Sequence, residues 1–199
     1  MGGTPRVREG DLVLIYLDDK RRFVRRVRKG AVLHTDRGAL ELGELVGKPI
    51  GYGVTLPSGA TAYVLDPLPP DLMDLAFRRV SQVIYPKDLG YMLVASGIAS
   101  GSRVLEGGVG SGCLATVLSL ASAPEGCYLG LEVREDMLAA ARRNLSLAGA
   151  HAFANIVQGD ARHMPVRSGF FDAVFFDIPD PWNALEGAYE CLRGGGVFT

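Results

Sequence analysis

The stretch VLEGGVGSGCL, residues 104–114, limits what this chain can fold into more than any other. Glycines at 108, 110 and 112 let a strand end turn tightly and let its backbone approach a ligand, and the helix that follows offers unpaired N–H groups. A strand, a glycine loop and a helix in that order open a parallel-sheet unit. The dinucleotide fingerprint is G-x-G-x-x-G, whereas the spacing here is G-x-G-x-G behind Glu106. That spacing argues against a pyrophosphate. A carboxylate inside the loop repels phosphate and suits an ammonium group, directly or through water.

The flanking sequence continues the pattern. Helices are expected over 87–96, 112–122, 134–148 and 182–192, and apolar strands over 103–106, 127–132, 154–158 and 173–177, with a further strand opening at 196–199. Such alternation calls for a doubly wound α/β domain with a parallel sheet. Upstream, residues 11–64 carry short β-type runs separated by DDK, RKG, DRG and PSGA, the signature of a small β module. Between them DPLPPD, residues 66–71, reads as a proline-stiffened linker. The expected division is therefore 1–65 for the β module, 66–80 for linker and lead-in, and 81–199 for the ligand-binding domain.

Composition sets the compartment and the partners. With 199 residues, 48% hydrophobic and 22% charged, the chain is long enough for a good-sized core. Its longest apolar runs, such as Leu12–Leu17 and Ala173–Phe176, fall far below the roughly 20 residues of a membrane span, so no membrane partner is expected. The start, MGGTPRVREGD, lacks the apolar stretch of a secretory signal. Cys113, Cys127 and Cys191 are odd in number and, like His34, His151 and His163, lack metal-ligand spacing. A reducing cytoplasm and no metal are expected.

The net charge of -1 hides an asymmetry, because residues 1–30 hold nine Lys/Arg against four Asp/Glu. The run containing Arg21, Arg22, Arg25 and Arg26 is open to two readings: a solvated hairpin edge, protected by charge from edge-to-edge pairing, or a phosphate-contacting surface.

Three further acids follow the loop. Glu132 ends the second strand, where it can accept hydrogen bonds from both ribose hydroxyls of a nucleoside. Asp160, in QGDAR, follows the third, where a carboxylate can face an adenine amino group. Asp177 ends the fourth, inside FFDIPDPW. Taken alone, the glycines could be a structural turn; with these acids the residues resemble the class I S-adenosylmethionine-dependent methyltransferases, whose loop reads E/D-x-G-x-G-x-G. The resemblance implies a Rossmann-like fold and S-adenosylmethionine as cofactor. Glu106, Gly108, Val109, Gly110, Ser111 and Gly112 would hold its methionine part, Glu132 its ribose, and Asp160 and Ala161 its adenine, with Gln82 and Asp177 completing the site.

SQVIYPKDLGYM, residues 81–92, and FFDIPDPW, residues 175–182, resemble the tRNA (adenine-58-N1)-methyltransferase family in its archaeal and bacterial members, and GYGVTLPSGATAYVLDPLPPDLM is similar to that family's lead-in. This implies transfer of a methyl group to N1 of adenine in tRNA at position 58, with 57 as a second candidate, by a cytoplasmic homotetramer built as a dimer of dimers. N1 of adenine is a weakly basic ring nitrogen that can attack a sulfonium methyl directly. Methylation makes the exocyclic amine acidic, so a carboxylate there, expected to be Asp177, orients the ring and stabilises developing charge. Tyr85 is either a packed aromatic or a catalytic neighbour at the pocket mouth. Trp182 is either core or a base contact, and Asp180 is expected to cap a helix entered at Pro181. Arg21, Arg22, Arg25 and Arg26 would grip the RNA backbone.

Two alternatives stay open: a protein L-isoaspartyl methyltransferase, whose acceptor carboxylate the aspartates of DIPDP would repel, and an RNA-binding subunit that has lost catalysis. The chain stops at GGGVFT, the start of a fifth strand, and is expected to be C-terminally incomplete relative to that family.

Overall fold

The structure is a computed structural model that describes residues 4–164 and 167–199. It divides into two compact units, Met1–Ala76 and Phe77–Thr199.

In the first unit the expected β runs form strands β1 (Leu12–Asp18), β2 (Arg21–Arg26), β3 (Val32–Thr35), β4 (Gly38–Glu41), β5 (Gly53–Thr55) and β6 (Thr61–Leu65). β2, β1, β6 and β5 make an antiparallel sheet in that order, while β3 and β4 pair as a separate hairpin. Alternation puts Val13 and Ile15 of β1, and Ala62 and Val64 of β6, into one apolar core with Leu33, Leu40 and Leu45. The DPLPPD stretch differs from its linker reading. Helix α1 (Pro69–Leu75) starts inside it, because prolines at the first helical positions need no amide partner and Asp71 reaches back to the Leu68 amide at 3.1 Å.

The second unit contains α2 (Pro86–Ser96), β7 (Arg103–Gly107), α3 (Cys113–Ser122), β8 (Cys127–Glu132), α4 (Glu135–Leu147), β9 (Ala154–Gln158), β10 (Phe171–Phe176), α5 (Leu185–Cys191) and β11 (Leu192–Phe198). Its five strands are parallel in the order β11-β10-β7-β8-β9. The chain starts in the middle at β7, runs outward to β9, then returns to the other side of β7 as β10. That reversal opens a crevice at the carboxyl ends of β7 and β10, where ligands bind in such sheets. α3 is buried although it carries Thr116, Ser119 and Ser122, because each hydroxyl donates to a carbonyl one turn back, Thr116 to Gly112 at 2.7 Å and Ser122 to Leu118 at 2.7 Å. At the opposite end of the sheet Asp172 accepts from Arg103 and Arg193, which holds its carboxyl well below the usual range. No helix among the described residues is long and apolar enough to cross a membrane.

Candidate active site

A cavity of about 640 Å³ lies at the carboxyl ends of β7, β8 and β10, a volume in the usual range for ligand pockets. A small annex of about 20 Å³, room for about one water, opens beside the glycine loop. Of the residues expected at the cofactor, Gln82, Gly108, Gly110, Glu132, Asp160, Ala161 and Asp177 line the cavity, and Glu106, Val109 and Ser111 line the annex. Gly112 stands behind them at the cap of α3, where a β-carbon would press against the Ala141 backbone of α4 at 3.3 Å.

Each acid is held differently. Glu132 is buried; its Oε2 accepts from the Gly110 amide and its Oε1 from the Arg134 amide, both at 2.9 Å. Asp160 accepts from the Arg162 amide at 2.9 Å and from the Arg162 guanidinium at 2.6 Å, which pulls its carboxyl down to about 2. Asp160 thus comes with an arginine beside it, and both residues line the cavity. Asp177 is open to the cavity, yet enough protein surrounds it to raise its carboxyl above the ordinary value by desolvation. Its amide donates to the Gly107 carbonyl at 2.9 Å. Gly108, at φ 88°, packs so closely that a β-carbon there would overlap the Asp177 carbonyl.

Some expectations change. Asp180 stands at the cap position before the 3-10 turn Pro181–Ala184, but its side chain makes no capping bond; at ψ 62° its backbone is not in the extended conformation of a cap, and its carboxylate lines the cavity instead. Trp182 is 63% exposed and Tyr85 57% exposed, so neither packs in a core, and neither lines the cavity. The arginines belong to the other unit. Arg21 is clamped by Asp36 at 2.6 Å and Asp18 at 2.8 Å, and Arg22 reaches Asp74 at 3.2 Å and Asp71 at 3.4 Å. Arg25 and Arg26 bond only carbonyls, Val24 and Gly10, among the hydrogen bonds of the described residues, and Arg25 lies over the Phe23 ring.

Three residues at the site were missed. Asn144, fully buried on α4, donates to the carbonyls of Ser111 at 2.9 Å and Arg78 at 3.0 Å and accepts from the Arg78 amide at 2.9 Å. Ser81 meets Ser111 at 3.1 Å and lines both cavities. Together they staple the lead-in segment 78–82 to the glycine loop. Tyr128, on β8, donates to Glu106 at 2.6 Å. The signal available for Asn144 is an amide at a core-facing helical position, which is costly unless paired.

A parallel sheet reversing at β7, a glycine loop with αL turns and acids at four strand ends define a Rossmann-like class I methyltransferase domain. Residues 60–199 match the model of the family described as the tRNA methyltransferase complex GCD14 subunit, and the chain belongs to that family. It is 30% identical over 193 residues to the tRNA (adenine(57)-N(1)/adenine(58)-N(1))-methyltransferase TrmI of Methanocaldococcus jannaschii, covering 83% of this chain and 66% of that protein. The crystal structure of the Aquifex aeolicus tRNA (m1A58) methyltransferase TrmI superposes with a TM-score of 0.87 at 30% identity, over 98% of this chain and 76% of that one. A Thermotoga maritima structure described as a SAM-dependent O-methyltransferase superposes at 0.88 with 32% identity, over 96% and 71%. The chain spans less than two thirds of the curated relatives it matches, 63% of that from Dictyostelium discoideum and 43% of one from Cryptococcus neoformans. The residues fit the cofactor of the class: Gly108 and Gly110 of the loop and the acidic residues Glu132, Asp160 and Asp177 line the cavity, and Glu106 lines the annex.

Proposed function

We propose that this chain binds S-adenosylmethionine in the cavity and methylates N1 of adenine in tRNA, at position 58 with 57 as a second candidate. Gly110 and the annex with Glu106 take the methionine end, Glu132 the ribose, and Asp160 with Ala161 the adenine. The bound cofactor supplies a methyl carbon that the N1 lone pair can take while the carbon–sulfur electron pair leaves with sulfur.

The observation that carries the reading is the position of Asp177. Its carboxylate lines the cavity while its backbone is tied to Gly107 and packed on Gly108, so an acceptor held by Asp177 is held in register with the glycine loop. Asp177 orients the ring through its amine and stabilises the positive charge as it grows. No covalent intermediate on the protein is required. A stacked tRNA base must be extruded to reach it, and Arg25 and Arg26, whose side chains bond carbonyls and not carboxylates, are the cations assigned to phosphate contact. A homotetramer in the cytoplasm belongs to the same proposal.

The isoaspartyl alternative is disfavoured because Asp177 and Asp180 both line the cavity and would repel a carboxylate acceptor. The intact acids likewise disfavour a subunit without catalysis. Incubation with labelled S-adenosylmethionine and either bulk tRNA or an isoaspartyl peptide decides: label recovered as N1-methyladenosine is expected, and label in the peptide alone overturns the reading.

A further inference from the structure

The Tyr128 side chain crosses from β8 to the neighbouring strand inside the sheet's core. It is completely buried, its hydroxyl lies 2.6 Å from Glu106 Oε2, and Glu106 itself is 1% exposed. A ring as long as tyrosine reaches that carboxylate only if the residue two along the strand, which shares its face, leaves room. That residue is Gly130. A β-carbon there would stand 2.7 Å from the Tyr128 hydroxyl and closer still to Val109 of the glycine loop. Tyr128, Gly130, Val109 and Glu106 thus form one packed contact between two adjacent strands, and its far side is the wall of the annex.

We propose that Tyr128 is a positioning residue for the cofactor: in a slot kept open by Gly130, its hydroxyl holds the Glu106 carboxylate toward the annex, where it receives the cationic amino group of the methyl donor. The proposal rests on the S-adenosylmethionine reading of the cavity and goes beyond it by assigning a proton to the binding step.

Burial pushes the Glu106 carboxyl up to about 8, with Asp177 and Glu132 adding to the rise and the Tyr128 hydrogen bond opposing it. The groups facing Glu106 are therefore Tyr128 on β8, Glu132 at the end of β8, Asp177 beyond β10 and the Cys113 thiol at the start of α3, itself pushed up to about 11 by burial. No cation among the groups acting on Glu106 neutralises it. Near pH 7 the cofactor-free protein keeps a proton on Glu106, and an arriving ammonium favours the ionised form. Cofactor binding then releases that proton to solvent, and the Tyr128 O–H, already donating to Glu106, then donates to a charged carboxylate. Affinity rises with pH up to about 8, at most tenfold per unit.

The same raised carboxyl acts on stability in the opposite direction. Its folded value lies above the unfolded 4.5, so its contribution is complete below about pH 4.5 and is lost as pH rises through about 8.

The experiment is titration calorimetry with S-adenosylmethionine from pH 6 to 9 in buffers of different ionisation enthalpy, on the wild type, Tyr128→Phe and Glu106→Gln, with thermal unfolding of each cofactor-free protein over the same range. Wild type is expected to release a proton and to bind more tightly toward pH 8. Tyr128→Phe, which keeps the ring, should move that midpoint upward and weaken binding at pH 7 by about tenfold or more, the order of a hydrogen bond to a charged group. Glu106→Gln should abolish proton release and flatten the unfolding profile. Should a folded Tyr128→Phe keep the wild-type affinity and midpoint, Tyr128 has no positioning role although the cofactor reading stands. Absence of S-adenosylmethionine binding in the wild type at every pH overturns both.

Discussion

The Gly110 amide donates to Glu132 Oε2 at 2.9 Å, tying the middle of the glycine loop to the end of the neighbouring strand. With the Arg134 amide on Oε1, both carboxylate oxygens are fixed from behind, and each keeps a lone pair for the cavity. Glu132→Ala should therefore weaken S-adenosylmethionine binding by about 1.5–3 kcal/mol for each charge-assisted bond lost. NADH should not compete. Calorimetry giving an unchanged affinity would remove Glu132 from the site.

Two acidic residues, Asp177 and Asp180, line the cavity, and they are expected to differ in kind. Asp177→Asn keeps the shape and loses the charge, so single-turnover methyl transfer should fall about 10²–10³ with nearly normal cofactor and tRNA binding. Asp180→Asn should be much milder. Loss of the chemical step in Asp180→Asn alone would move the catalytic role three residues along the loop.

Asn144 makes a further prediction, because it pairs three backbone groups of two segments that line the site. Asn144→Ala leaves those groups inside the protein without a partner, at a cost of about 1–3 kcal/mol. Cofactor affinity should fall as well, since the lead-in segment loses its link through Asn144 to Ser111. Asn144→Asp, which offers no donor and sets a buried carboxylate oxygen against the Arg78 and Ser111 carbonyls, should cost at least as much. Denaturant titration and calorimetry on the same samples check the coupling, and a variant destabilised without any loss of affinity contradicts it.

The arginine run divides. Arg21 and Arg22 meet aspartates within their own unit, whereas Arg25 and Arg26 bond carbonyls and keep their charge uncompensated in those bonds. Replacing Arg25 and Arg26 with Ala should flatten the salt dependence of tRNA binding by up to about 0.7–0.9 log units per lost phosphate contact. Replacing Arg21 and Arg22 should change it less. Equal slopes for the two pairs would return the whole run to a solvated strand edge.

What the sequence carried, and what it hid, follows from the range of each interaction. β8 and β9 have the expected bounds, Cys127–Glu132 and Ala154–Gln158, because buried parallel strands are short continuous apolar runs between breakers. The acids at their ends were legible for the same reason. The pairing of Arg21 with Asp36, the reach of Tyr128 to Glu106 and the three bonds of Asn144 depend on partners brought close only by the sheet and its helices. Local pattern does not contain them. Asp180 illustrates the limit from the other side: the turn it precedes was legible from Pro181, but the direction of its carboxylate follows from a backbone angle that no spacing rule specifies.

The pairing of β10 with β7 has a consequence for how the protein comes into being. Strands adjacent in space leave the ribosome far apart in time; Arg103 and Asp172, bonded at their starts, are 69 residues apart. A nascent chain that has reached Asp160 already has the glycine loop and Glu132, but lacks the Asp177 carbonyl against which Gly108 packs. Its loop is tied to β8 but has no β10 to pack on. The packed form of the loop therefore waits for the segment that brings Asp177, and translation order makes the crevice between β7 and β10 a late product of synthesis.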